Sequence, residues 1–241
     1  MSVERILRQA WGFYRKFFLR LVLTAAVAFM VLELFPTLLQ SSTHSGHWTS
    51  AIIWGIASFL LWIVGAFWLQ GALVEAINDL RDGRIDLSIE DLYMRTRPLL
   101  PGLIAAGLAA VLGVVCGLVL LVIPGLVLMT RWILFVPVIV LEKKPAGKAL
   151  NRSWNLVKGS SWSMFALMLV TIFVLAVGSA LIRVALFPLS SVPGFFTTWV
   201  ASTIVSSLTA PFAALAWTFA YFELVSERAR PRATMMPPIQ V

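Results

Sequence analysis

Charged residues are scarce in this chain of 241 residues. Only 12% are Asp, Glu, Lys or Arg, about half the share of an ordinary soluble domain, whereas 60% are hydrophobic. A soluble fold of this length could not hide so much apolar surface from water. The scarcity therefore argues against a soluble domain and predicts an all-α polytopic membrane protein.

Cysteine and histidine are nearly absent. The single cysteine, Cys116, cannot form an intrachain disulfide. The two histidines, His44 and His47, lack the cysteine or carboxylate neighbours that a metal site needs. Ser153 and the hydroxyl groups near the C-terminus have no recognisable base for nucleophilic catalysis. We therefore expect no metal, no cofactor and no enzymatic reaction.

The apolar residues form six runs, each long enough to cross a bilayer as a helix. The predicted spans cover residues 19–39, 51–69, 99–122, 126–141, 162–187 and 195–224. The Pro-Gly pair at 124–125 predicts a tight turn between the third and fourth spans. In the third span, small residues at four-residue spacing should let another helix approach closely; they are Ala105, Ala109, Gly113 and Gly117.

Three short amphipathic segments precede the first, third and fifth spans, at residues 3–18, 88–97 and 145–158. In the second of them, Ser88 and Asp91 have the spacing of a capping box. Leucine, tryptophan and a basic residue recur at the same spacing in the first and third segments. The pattern predicts three interfacial helices on the cytoplasmic face and a threefold repeat of one such helix with two spans.

Basic residues mark one face of the membrane. Seventeen of the 19 Lys and Arg residues lie before or at the start of the first span, between the second and third, between the fourth and fifth, or after the sixth. The other two, Arg131 and Arg183, lie inside spans. The positive-inside rule places both termini in the cytoplasm. Because the basic residues collect at a membrane face, the expected partners are anionic lipid headgroups rather than nucleic acid.

The chain has no polar stretch long enough for a separate soluble domain. Residues 1–226 are therefore interpreted as one integral membrane domain. Residues 227–241 are basic and proline-rich, and they are expected to form a disordered cytoplasmic tail.

Charged residues within or beside the spans need partners, because an ionised group in a bilayer is costly. Glu33 and Arg131 fall at similar predicted depths. They are expected to form an intramembrane ion pair or to line a polar cavity open to the outer face, although Arg131 could instead snorkel to the outer headgroups. Three structural acids, Glu75, Glu142 and Glu223, lie near the basic face. They should form salt bridges to Arg152 or to other basic residues of that face, which would fix the interfacial helices, or else line a substrate or ion site.

Two stretches carry a resemblance to a known family. One begins Ile-Pro-Gly-Leu-Val-Leu-Met-Thr-Arg-Trp at Ile123, and the other reads Lys-Ala-Leu-Asn-Arg-Ser-Trp-Asn-Leu-Val-Lys-Gly from Lys148. Over residues 80–225 the chain resembles the membrane domain of some bacterial glycerophosphodiester phosphodiesterases and its stand-alone, uncharacterised relatives. The resemblance implies a six-helix bundle in the bacterial inner membrane. It does not imply the phosphodiesterase activity, which belongs to a separate soluble barrel.

The sequence leaves two functions open. The first is a non-enzymatic protein that binds lipid, organises the membrane or holds a membrane or peripheral protein partner. Its expected headgroup residues are Arg8, Trp11, Arg15, Lys148, Arg152, Trp154 and Lys158. The alternative is a small transporter or channel that uses Glu33, Arg131 and the Ser/Thr-rich sixth span.

Overall fold

The computed structural model describes residues 2–37, 48–83, 87–187 and 194–229 as a bundle of helices, with no strand in these ranges. A 3₁₀ turn at Arg97–Leu99 joins the fourth helix to the fifth. In chain order the helices are α1 (Val3–Lys16), α2 (Phe18–Leu32), α3 (Trp48–Arg81), α4 (Ile89–Thr96), α5 (Leu100–Leu120), α6 (Val122–Trp132), α7 (Phe135–Glu142), α8 (Ala146–Val157), α9 (Ser161–Ala185) and α10 (Phe195–Ala229).

Six stretches are long and apolar enough to cross a membrane, which confirms the predicted all-α, multi-pass architecture. Their outward surfaces carry large apolar side chains, such as Phe173 and Leu181, that only a bilayer would solvate well. The six stretches are Phe18–Thr37, Trp54–Arg81, Ile89–Leu120, Val122–Glu142, Ser161–Ala185 and Phe195–Ala229.

The short helices α1, α4 and α8 precede the first, third and fifth spans, where the sequence predicts amphipathic helices. The capping box of α4 is formed, because the Ser88 hydroxyl accepts from the Asp91 backbone N–H and the Asp91 carboxylate accepts from the Ser88 N–H, each at 3.1 Å. The apolar faces of these helices are buried within the protein, as Ile6, Leu92 and Leu156 show. The short helices are therefore packed parts of the bundle.

The turn between α5 and α6 lies earlier than the sequence predicts. Leu121 is the extended residue that separates the two helices, and Pro124 lies in the first turn of α6. Proline is tolerated there because the first turn of a helix needs no backbone N–H donor. The prediction that Pro124 and Gly125 form the turn is therefore wrong.

Small residues let α5 and α6 pack closely, as predicted for Gly113 and Gly117. A methyl group added at Gly117 would come within 2.9 Å of the Gly125 Cα, and one added at Gly113 would meet the Trp132 ring at 2.5 Å. Ala105 and Ala109, the other members of the predicted stripe, are exposed. Only the half of the stripe nearest the turn therefore forms the close contact.

The fourth span is broken in its middle, between Trp132 and Phe135. Pro137 follows the break by one turn and has no N–H to donate to the carbonyl of Ile133. The break separates α6 from α7, and it allows α8 to pack against both of them. The sequence predicts a span over residues 126–141 but not the break within it.

The last helix continues to Ala229, three residues into the predicted tail. The rest of that tail, residues 230–241, lies outside the described part of the chain. So do His44 and His47.

Candidate functional site

The short helices and the C-terminal ends of α3, α7 and α10 meet at one end of the bundle, which we call the basic face. Three glutamates belong to this face, and each lies within about two turns of the C-terminal end of its helix. Glu75 lies in α3, Glu142 ends α7 and Glu223 lies in α10. They are the three acids that the sequence analysis identifies as structural.

Each of these glutamates contacts a different short helix. The Glu75 carboxylate lies 3.8 Å from the Arg95 guanidinium of α4. Glu142 accepts a hydrogen bond of 3.0 Å from Arg152 of α8, and Glu223 accepts one of 3.2 Å from the backbone N–H of Ser2, just before α1. The second, fourth and sixth spans therefore each hold one short helix, and the contact from Glu223 joins the end of the bundle to its beginning.

Glu142 makes the densest set of these contacts. Besides the two hydrogen bonds from Arg152, its carboxylate accepts one from the Tyr221 hydroxyl at 3.0 Å and one from the Lys144 ammonium group. Its side chain is 17% exposed. The carboxylate thus joins α7, α8 and α10 at a single point.

Two further arginines stabilise the basic face, and sequence reasoning missed both. Arg228, near the end of α10, donates to the carbonyls of Asn155, Leu156 and Lys158 at the C-terminus of α8. Arg20 in α2 donates to the Asp79 carboxylate at 3.2 Å. The unpaired carbonyls of a helix end are a usual target for arginine, but no sequence pattern reveals which helix end lies near.

The predicted headgroup residues do not form one site. Arg152 is paired with Glu142, and the ring of Trp154 lies under the Arg131 guanidinium at 4.2 Å. Arg8 pairs with Glu4 one turn away on the exposed side of α1. The remaining members are exposed on α1 or α8, and they are Trp11, Arg15, Lys148 and Lys158.

A cleft of about 700 Å³ lies at the basic face, between α1, the end of α3 and the end of α10. We call it the α1–α10 cleft. Its cationic side chains are Arg5, Lys16 and Arg81, and its acidic ones are Glu223 and Glu227. Its apolar walls come from Phe13, Phe17, Leu80, Phe219 and Phe222.

Aromatic rings hold two of the cations of the α1–α10 cleft. The guanidinium carbon of Arg81 lies 3.8 Å from the centre of the Phe222 ring, and the Lys16 ammonium lies 5.1 Å from that of Phe17. Among the ion pairs of the described residues, none involves these cations or Arg5. The cations therefore keep hydrogen-bond donors available for an anion.

A buried tyrosine fixes α1 against α10 beside the cleft. The Tyr14 hydroxyl donates to the Leu208 carbonyl at 2.9 Å, one turn before Pro211. Burial raises the pKa of Tyr14 to about 12, so the hydroxyl stays a neutral donor at physiological pH. The bond therefore joins α1 to α10.

The predicted ion pair between Glu33 and Arg131 is not formed. Glu33 accepts a hydrogen bond of 2.9 Å from the Ser206 hydroxyl of α10, whereas Arg131 lies over Trp154 of α8. The two residues belong to different neighbourhoods, because α2 packs on α3 and α10 while α6 packs on α5, α8 and α9. Of the features behind the transporter alternative, the structure keeps the contact of Glu33 with the Ser/Thr-rich sixth span but not the ion pair.

The chain matches the model of one protein family. The family described as Domain of unknown function (DUF7847) matches residues 92–224, which is more than half of the chain. No curated protein and no solved structure matches. The matched region runs from α4 into α10, so it includes Glu142, Glu223 and Arg131 but not α1 or α3.

Proposed function

The chain belongs to the DUF7847 family, whose description assigns no function, and we propose that it is a non-enzymatic membrane protein that binds anionic phospholipid headgroups. The α1–α10 cleft is the site of binding. The observation that carries the proposal is the combination, in one cavity of about 700 Å³, of three cations with a wall of phenyl rings at the end of a membrane bundle.

The chemistry of the cleft suits a phosphate group that leads into acyl chains. Guanidinium and ammonium groups donate charge-assisted hydrogen bonds to phosphate oxygens. The phenyl rings provide an apolar surface for the glycerol backbone and the first methylenes of the chains. The cleft is lined by three cationic and two acidic side chains, so it presents more cationic than acidic groups to a ligand.

We also propose which membrane the protein occupies and on which side of it the basic face lies. A cleft built for anionic headgroups belongs at the leaflet that carries them, and the excess of Lys and Arg at the basic face favours the cytoplasmic side. Together with the family resemblance in the sequence, this favours the inner membrane of a bacterium. The exposed basic residues of α1 and α8 then lie at the headgroup level, where they favour a lipid surface or a peripheral protein.

The proposal is tested by native mass spectrometry of the full chain mixed with phosphatidylglycerol or with zwitterionic phosphatidylcholine. Two double variants of α1 remove the same charge, one from side chains that line the cleft and the other from side chains that do not. Arg5→Gln/Lys16→Gln alters the cleft, and Arg8→Gln/Arg15→Gln is the matched control. We expect the first to weaken phosphatidylglycerol binding about tenfold or more and the second to change it little.

The comparison between the two variants shows whether the cleft itself binds the lipid. Equal losses would mean that general attraction to the basic face, rather than the cleft, retains the lipid. Equal binding of both lipids by the unmodified protein would also contradict a site for an anionic headgroup.

A further inference from the structure

Arg131 is a cation inside a membrane span whose guanidinium has no carboxylate partner in the described ranges. Its Nε is buried and has no hydrogen-bond acceptor. The guanidinium stacks on the Trp154 ring at 4.2 Å, which holds it in place but leaves its charge uncompensated. A charge in such surroundings favours an anion from outside the protein.

A separate pocket of about 240 Å³ lies against Arg131, between α6 and α9. Its walls are almost wholly apolar, and they come from Ile123, Leu126, Val127, Trp162 and Phe165. The two hydroxyl groups at its edge are already engaged, since Thr130 donates to the Leu126 carbonyl and Ser161 to the Val157 carbonyl. Arg131 is therefore the only charged group that lines it.

We infer that this pocket binds the carboxylate of a single-chain amphiphile, a long-chain fatty acid, with Arg131 as its counter-charge. A carboxylate offers two oxygens to the forked donors of a guanidinium. The apolar walls then accommodate the hydrocarbon next to the charged group.

The dimensions of the pocket favour a fatty acid over a phospholipid. A phospholipid would bring a glycerol, two ester groups and a polar headgroup into a space with no further charged or free hydroxyl donor. The pocket has about a third of the volume of the α1–α10 cleft, which has several cations for such a headgroup. The two sites therefore differ in the class of lipid that they would accept.

The inference is tested with a palmitic acid analogue that carries a photoactivatable diazirine in its chain. The full-length protein is labelled in detergent, and the labelled peptides are identified by mass spectrometry. We expect labelling of α6 and α9, with a drop of about tenfold in Arg131→Gln, because that variant loses the charge-assisted bonds. Arg183→Gln is the matched control, since it removes another arginine of an apolar span, one that lines a different cavity between α9 and α10.

A second variant keeps the test independent of the stability of Arg131→Gln. Val127→Trp fills the pocket from a side chain that is 40% exposed and leaves the charge in place, and it should also abolish labelling. Labelling that survives both variants, or that is as strong with the corresponding alcohol, would overturn the inference. Stronger labelling by a photoactivatable phosphatidylglycerol would overturn it too, because the occupant would then be a phospholipid.

Discussion

At the scale of single residues, Glu142 is the side chain on which most of the basic face depends. It joins three helices through one carboxylate, and its main partner, Arg152, comes from α8. Removing Glu142 leaves the partly buried Arg152 without its carboxylate, and removing Arg152 leaves Glu142 with only the Lys144 ammonium as an opposite charge. The loss should therefore be larger than for an ion pair in water.

A double-mutant cycle of Glu142→Gln and Arg152→Gln should show a coupling free energy of about 1–3 kcal/mol. The measurement is unfolding in detergent with increasing dodecyl sulfate, followed by tryptophan fluorescence. The exposed pair of Glu4 and Arg8, whose side chains are 81% and 79% exposed, is the control and should give no more than about 0.5 kcal/mol. A coupling at Glu142 no larger than that of the control would mean that the contact does not stabilise the fold.

For Glu33 and Arg131 we expect no coupling free energy. Because they contact different helices, the effects of Glu33→Ala and Arg131→Ala on unfolding should add to within about 0.5 kcal/mol. The same denaturation measurement checks this. A recovery of stability in the double variant would show that the two charges do interact.

The sequence identifies these residues, and for Glu142 it also gives the partner, because the expected salt bridge to Arg152 is formed. Arg131 and Glu33 stand out because each is charged within an apolar run. Their pairing was predicted from depth alone, which assumes straight spans and does not say which spans are neighbours. Glu142 and Arg152 are only ten positions apart, so the chain itself keeps them close. Arg228 and Leu156 are 72 positions apart, and nothing in the sequence relates them.

At the scale of elements, the α5–α6 hairpin depends on glycine at its closest approach. A methyl group added at Gly125 would lie 2.4 Å from the Leu118 Cγ and 2.6 Å from its backbone nitrogen, so a helix would have to move. Gly125→Ala should therefore lower the free energy of unfolding by about 1–3 kcal/mol.

Gly147→Ala is the control for this prediction. That glycine lies in α8 with nothing within 4 Å of an added methyl group, so the change should be neutral or stabilise by about 0.5–1 kcal/mol. Thermal unfolding of the two variants in the same detergent gives the comparison. An equal response at both positions would show that the hairpin does not need its close contact.

The elements themselves were largely predictable, and their ends were less so. Long apolar runs bounded by charge locate the six spans because the bilayer allows few alternatives. Proline is an ambiguous signal. Pro124 is compatible with the first turn of a helix as well as with a loop between two helices. Pro137 removes a hydrogen bond to a carbonyl one helical turn earlier, so the break precedes the proline itself. The cleft could not be predicted, because Arg5, Arg81 and Phe222 meet only when three distant helices pack.

At the scale of the whole molecule, orientation is the first property to establish. If the basic face is cytoplasmic, a cysteine at Ser226 should resist an impermeant thiol reagent added to intact bacterial cells, and one at Ser45 should react. Cys116 is exposed on α5 and is first replaced by alanine. Modification of position 226 but not of position 45 would show that the basic face lies outside.

The contact between Ser2 and Glu223 spans 221 positions of the chain, and it has a consequence for biosynthesis. Membrane proteins are inserted from the N-terminus, so α1 emerges long before the helix that completes its surroundings. Until α10 is in place, the apolar face of α1 lacks its main neighbour and the cleft lacks a wall. A copy that stops early would present that face to proteases. If the cleft binds lipid as we propose, its occupancy would distinguish fully assembled molecules from arrested ones.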